Sequence, residues 1–85
     1  MEEIKVGRVS KYFGHISVAA IELENGPLKV GDRVHVKGHT TNFEQTVDSI
    51  QIEHESVQEA KLGASIGIRV KERVRPHDEI YRVKD

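Results

Sequence analysis

The chain has no cysteine, which excludes disulfides, thiolate zinc sites and a cysteine nucleophile together and leaves a cytoplasmic setting as the expectation. Long hydrophobic runs are missing too. The acidic start, with Glu2 and Glu3 directly after Met1, has no apolar core of signal-peptide length. No later run approaches the roughly 20 residues of a membrane span, so no membrane partner is expected. Neither sign of charge dominates. Thirteen Lys and Arg stand against fourteen Asp and Glu, a formal net charge of -1, so no global field draws the chain to nucleic acid or an anionic surface. Any RNA contact then has to come from a local patch.

The 85 residues point to one domain, residues 1–85, with a compact core and modest stability. Apolar residues recur at short, near-alternating spacing, and Gly, Asn and Pro cut the chain into pieces too short for ordinary helices. Strands are predicted at 4–13, 16–24, 33–37, 43–53, 65–71 and 79–83. Val34 and Val36 alternate strictly, as do Ala64, Ile66, Ile68 and Val70, which turns one face of each strand inward. Val6 and Val9, Val18 and Ile21, and Val47 and Ile50 sit three apart instead. A β-bulge or a bend at a corner produces such a change of phase, and so does a strand that ends sooner. The fold class expected is all-β: a small, closed, six-stranded, largely antiparallel barrel. Asn25-Gly26-Pro27 and Val30-Gly31-Asp32 supply turns, the first with a positive-φ position before a fixed-φ proline. Ser56 with Glu59 has capping-box spacing and Gly63 is a stop, so one helical turn is predicted there.

Residues 28–38, from Leu28 through Val30, Gly31, Asp32, Val34 and Val36 to Gly38, resemble a turn and strand in the second domain of translation GTPases of the elongation factor Tu kind. The stretch from Gly14 to Gly26 occupies the place of that family's first hairpin. Residues 59–68, with Gly63 and Gly67, and 78–83 resemble its later strands, so the resemblance runs from Ile4 to Val83. It implies a translation-factor barrel that binds tRNA or ribosomal RNA. The family's phosphate loop, Gly-x-x-x-x-Gly-Lys-Ser/Thr, is absent, so no nucleotide partner or cofactor is expected. Ile16, Ala20 and Ile21 stand where the family hairpin has Gly, Thr and Gly. The branched side chains obstruct close approach of a ligand there.

Two period-two basic ladders are candidate nucleic-acid contacts: Arg33, His35 and Lys37 with His39 beyond, and Arg69, Lys71, Arg73 and Arg75. Along a strand such residues share a face, and a basic face binds phosphates in a salt-dependent way. The same pattern also serves as an ordinary solvated strand face that discourages edge pairing. If the strand stops near Lys71, Arg73 to His77 form a basic loop. Tyr12 and Phe13 are candidates to stack on a base, or else barrel packing. The five histidines suggest metal, but His35 and His39 would lie about 13 Å apart on one strand, so no metal site is expected. Ser17 and Ser49 pair on paper with several His and Asp residues without forming a nucleophile motif, so no catalytic residue and no enzyme activity are expected. The function expected is a non-catalytic, translation-factor-like RNA-binding module. The alternative is a protein-interaction module that docks on another enzyme or translation component through an exposed strand or loop.

Overall fold

The computed structural model describes residues 2–84, and it is all β. The strands are β1 (Glu2–Phe13), β2 (Val18–Glu22), β3 (Leu28–Lys29), β4 (Arg33–Lys37), β5 (Asn42–Thr46), β6 (Ile50–Ile52), β7 (Glu55–Val57), β8 (Glu59–Ala60), β9 (Ser65–Arg69) and β10 (Glu79–Lys84). Eight of them form one sheet in the order β5-β4-β10-β1-β2-β9-β6-β7, and β3 pairs with β8 as a separate ribbon. Every pairing is antiparallel. No helix occurs among the described residues, so none is long and apolar enough to cross a membrane.

β1 is the spine of the sheet. Its first half pairs with β10 and its second half with β2, and its register slips between Lys5 and Gly7 and again between Val9 and Lys11. The first slip puts both Val6 and Val9 in the core although they are three apart, the phase change expected of a bulge. Gly7 sits at that slip, where an added Cβ would run into the backbone carbonyl of Glu22. Here the glycine is needed for close approach of two strands. β1 thereby bends through a corner and carries the sheet around the buried side chains of Ile21, Val34, Val36, Ile50, Ile68 and Ile80.

The expected closed, six-stranded barrel is corrected in two respects. The stretch 43–53 is not one strand. After Thr46 the chain turns away: Val47 exchanges backbone hydrogen bonds with the turn at Gly31 and Asp32 (2.9 and 2.8 Å), and β6 starts anew beside β9. Val47 and Ile50 both reach the core across that break. The eight-stranded sheet therefore has two ends, and among the described residues no ladder joins β5 to β7. The predicted helical turn is also replaced. Val57 and Ala60 lie on the short strands β7 and β8, where pairing with β6 and β3 satisfies their backbone.

The turns differ from expectation as well. Gly31 and Gly63 take positive φ (98° and 93°), whereas neither Asn25 nor Gly26 does. The β6–β7 hairpin turns on Glu53 and His54, both at positive φ (50° and 68°), the backbone of a two-residue turn usually given to Asn and Gly. Val18 is half-exposed, and Ala19 and Ile21 point inward in its place. The phase change expected between Val18 and Ile21 is therefore absent.

Candidate functional site

The two basic ladders have different surroundings. On β4, Val34 and Val36 are buried and Arg33, His35 and Lys37 point outward, as alternation requires. β10 and β5 flank this strand, and Glu44 of β5 and Glu3 of β1 meet its cations. Arg33 Nε donates to Glu44 Oε1 at 2.8 Å, and Lys37 Nζ lies 3.1 Å from Glu3 Oε1 and 4.9 Å from the centre of the Tyr81 ring. Next to them Lys5 Nζ donates to Glu79 Oε2 (3.0 Å), and the Tyr81 hydroxyl donates to Glu79 Oε1 (2.9 Å).

His35 is the centre of this network, its side chain only 12% exposed. Nδ1 lies 2.7 Å from Glu3 Oε2 and Nε2 2.5 Å from Asn42 Oδ1. Both partners are acceptors, so the ring is best served by carrying two protons. Burial opposes the charged ring, but the hydrogen bonds to Asn42 and Glu3 outweigh it, and the His35 pKa is raised. The hydrogen bonds from His35 and Lys37 lower the Glu3 pKa. The hydrogen bond to Glu3 raises that of Lys37, and the one to Glu79 raises that of Lys5.

Glu3, His35 and Glu44 also place ligand-type atoms within 4.8 Å of one another, a cluster that linear spacing missed because it draws on three strands. Its carboxylates already face Lys37 and Arg33. The chemistry of this group is therefore that of an internal ion-pair network, and its polar atoms are engaged with one another.

The second ladder does not run along a strand. β9 ends at Arg69, and residues 70–78 form a loop pinned by buried Val74 and by Asp78, which accepts a hydrogen bond from the Arg75 backbone (2.9 Å). Arg69, Lys71, Arg73 and Arg75 are all exposed, and among the described residues no carboxylate lies within 4.0 Å of the side-chain nitrogens of any of them. The structure thus separates the seven candidate residues into a neutralised strand face and an uncompensated loop. Tyr12 packs against the core, and Phe13 lies under the Lys11 ammonium at 5.2 Å.

Arg69 and Lys71 belong to an open cleft of about 890 Å³, lined by the turn His15-Ile16-Ser17, by Gln45, Thr46 and Asp48, and by residues 69–71. Its floor is held from both sides. Val70 N donates to Ser17 O (2.9 Å). On the other side the Gln45 side chain donates to Arg69 O (2.8 Å) and accepts from Lys71 N (2.9 Å). One amide side chain thus stands in for the ladder that β5 and the end of β9 lack. Val70 is buried beneath the floor, and Arg69 and Lys71 rise from it. On one wall Ser17, at φ 55°, holds the tight turn that leaves Ile16 51% exposed. Asp48 also lines the cleft. His15, Ser17 and Asp48 all line this cleft, yet no hydrogen bond joins them among the described residues.

Comparison with known proteins places the chain among relatives of a different kind from those its turns suggest. It is 43% identical over 82 residues to a collagenase of Porphyromonas gingivalis, a match that covers 95% of this chain and 20% of that protein. It is 39% identical over 84 residues to an uncharacterized protease of Methanocaldococcus jannaschii, covering 98% of this chain and again 20% of the relative. The chain therefore spans about a fifth of the length of the curated relatives it matches. No family model matches it. Among solved structures, the C-terminal domain of a Geobacillus thermoleovorans protein assigned as a U32 peptidase superposes with a TM-score of 0.86. That alignment has 22% identity over 93% of this chain and 91% of the other, which establishes the shared fold.

These relatives correct several expectations. Kinship with the second domain of translation GTPases is overturned, and with it the RNA-binding, translation-factor function and the tRNA and ribosomal RNA partners. The expectation of no enzyme activity is overturned too, since the relatives, of which this chain spans about a fifth, are named collagenase and protease. The physical reason is that the matched residues were turn glycines and inward valines. A small antiparallel sheet that curls around one core asks for those residues whatever it serves.

Proposed function

We propose that this chain is a single β-structured domain of a U32-type, collagenase-like protease, and that it contributes to polypeptide hydrolysis by the whole protein. The observation that carries this reading is identity of 43% and 39% along nearly the full chain to a collagenase and a protease. The fold shared with the C-terminal domain of a protein assigned as a U32 peptidase supports it. On this reading the curled sheet, with β5 tied to the end of β9 by the Gln45 side chain, is a rigid body able to present loops at its rim. The absence of cysteine fits a cytoplasmic setting.

A segment exchange tests the reading. The matched segment of the Porphyromonas gingivalis collagenase is replaced by this chain, and hydrolysis of gelatin and of a labelled collagen peptide is compared with the parent and with a deletion of the segment. The exchanged protein is expected to keep most of the parent's activity, and the deletion to lose it. An exchanged protein that folds yet is as inactive as the deletion, or a deletion as active as the parent, would sink the proposal.

A further inference from the structure

We infer that the cleft floored by residues 69–71 binds an extended, acidic segment of a polypeptide substrate, with carboxylates two residues apart paired to Arg69 and Lys71. This rests on the protease reading above and adds to it the site and the chemistry of its ligand.

The first support is charge. Arg69 and Lys71 are exposed, line an open cleft and have no carboxylate within 4.0 Å among the described residues. The cations of β4 are all but consumed by Glu3 and Glu44. The cleft is therefore a place where two adjacent cations are left for a ligand. The second support is spacing. Arg69 and Lys71 flank buried Val70, so they keep strand-like parity and stand roughly 6–7 Å apart, the separation of alternate residues in an extended chain. Glu or Asp residues two apart in an extended peptide match it.

The walls narrow the choice further. Ile16 is exposed beside the floor, and gives an apolar residue next to the acidic pair a surface to cover. Asp48, which also lines the cleft, offers a carboxylate that can accept a backbone N–H of a peptide. The cleft is open and its lining mixes polar and apolar residues, which suits reversible capture of a passing segment better than a permanent interface. Its floor is fixed in advance by the Ser17 and Gln45 hydrogen bonds, so little ordering is needed on binding.

The experiment measures fluorescence anisotropy of the 85-residue chain with a labelled decapeptide containing Leu-Glu-Ser-Glu, and with its counterpart carrying Gln for each Glu. The acidic peptide is expected to bind about tenfold more tightly, the ratio two charge-assisted contacts supply at an exposed site. Replacing both cations, Arg69→Gln with Lys71→Gln, should remove that preference. Ile16→Ser should weaken both peptides by about threefold through lost apolar contact. The change Glu3→Gln on the other face should alter neither.

Equal binding of the two peptides, an unchanged preference in the double variant, or no binding of the acidic peptide up to millimolar concentration would each overturn the inference. So would a ten-nucleotide single-stranded RNA that binds more tightly than the acidic peptide and loses its affinity in the same double variant. An active segment exchange together with absent peptide preference removes this site and leaves the protease reading standing. Preserved peptide preference with an inactive exchange does the reverse.

Discussion

Arg33 and Lys37 on β4 have Glu44 and Glu3 at 2.8 and 3.1 Å, while Arg69 and Lys71 at the end of β9 have no carboxylate within 4.0 Å among the described residues. The two pairs are alike in residue type and in their near-alternating placement. They differ in what runs beside them. β4 is flanked by β10 and β5, with β1 next beyond β10, and Glu44 of β5 and Glu3 of β1 reach its cations, whereas the chain after Arg69 leaves the sheet and meets only a side-chain amide and a turn. A charge on a strand paired on both sides is thus spent within the fold, and a charge at or just past a strand's end is left for something else.

The largest effect expected is at Gly7, because the slip there sets which way Glu3 and Lys5 face. Gly7→Ala puts a methyl group against the Glu22 carbonyl, and should cost about 3 kcal/mol, the upper part of the range for overpacking. Thermal unfolding should drop by at least about 10 °C for a domain of this size. A variant within about 3 °C of the parent would show that β1 shifts register freely, and the paired face would then lose its basis.

Next comes Gln45, which joins β5 to the cleft floor. Gln45→Ala removes two hydrogen bonds to backbone groups at a partly exposed position, a loss of roughly 1 kcal/mol. Amide exchange at Lys71 should quicken more than exchange on β4. Equal change at both would mean that the two regions are held as one unit.

A smaller effect should appear with pH, and only on the paired face. The His35 pKa is raised from its ordinary 6.5, so its stabilisation is complete below that value and fades as pH rises through the higher folded value. The Glu3 pKa is lowered from 4.5, so its share is complete above 4.5 and fades as pH falls through the lower folded value. The network is therefore strongest between the two ordinary values. Unfolding temperatures measured from about pH 5.5 to pH 8 should decline in the parent and stay flatter in His35→Gln. Matching slopes would remove His35 as the group responsible.

The smallest effect on stability belongs to the cleft cations. Arg69→Gln with Lys71→Gln should leave unfolding within about 0.5 kcal/mol of the parent, as expected of exposed residues without partners. A larger loss would show that these cations are used by the fold after all.

Much of this contrast was legible in the chain. Alternation placed Val34 and Val36 inward and Arg33, His35 and Lys37 outward, and the three-residue spacing of Val6 and Val9 marked the bulge in β1. The break after Thr46 was only half legible: the three-residue spacing of Val47 and Ile50 allowed a strand that ends sooner, but it allowed a bulge or a bend equally, and no glycine or proline announces the break. His35 with Glu3 was hidden for another reason. The two lie 32 positions apart, and β10 comes between their strands, so only sheet order brings them together. The cleft was half visible: Arg69 and Lys71 stood out, but their companions Ile16 and Asp48 come from distant turns. The resemblance to translation factors followed from turn glycines and core valines, which report the shape of a sheet and carry no chemistry.

The most direct measurement uses the segment-exchanged collagenase and takes the ratio of kcat/KM for a cleavable peptide carrying Leu-Glu-Ser-Glu over its Gln counterpart. Arg69→Gln with Lys71→Gln in the exchanged segment should bring that ratio from about ten to about one, while Glu3→Gln leaves it where it was. A ratio that the double variant does not move, or that Glu3→Gln moves equally, would mean that the cleft and the paired face do not differ in function.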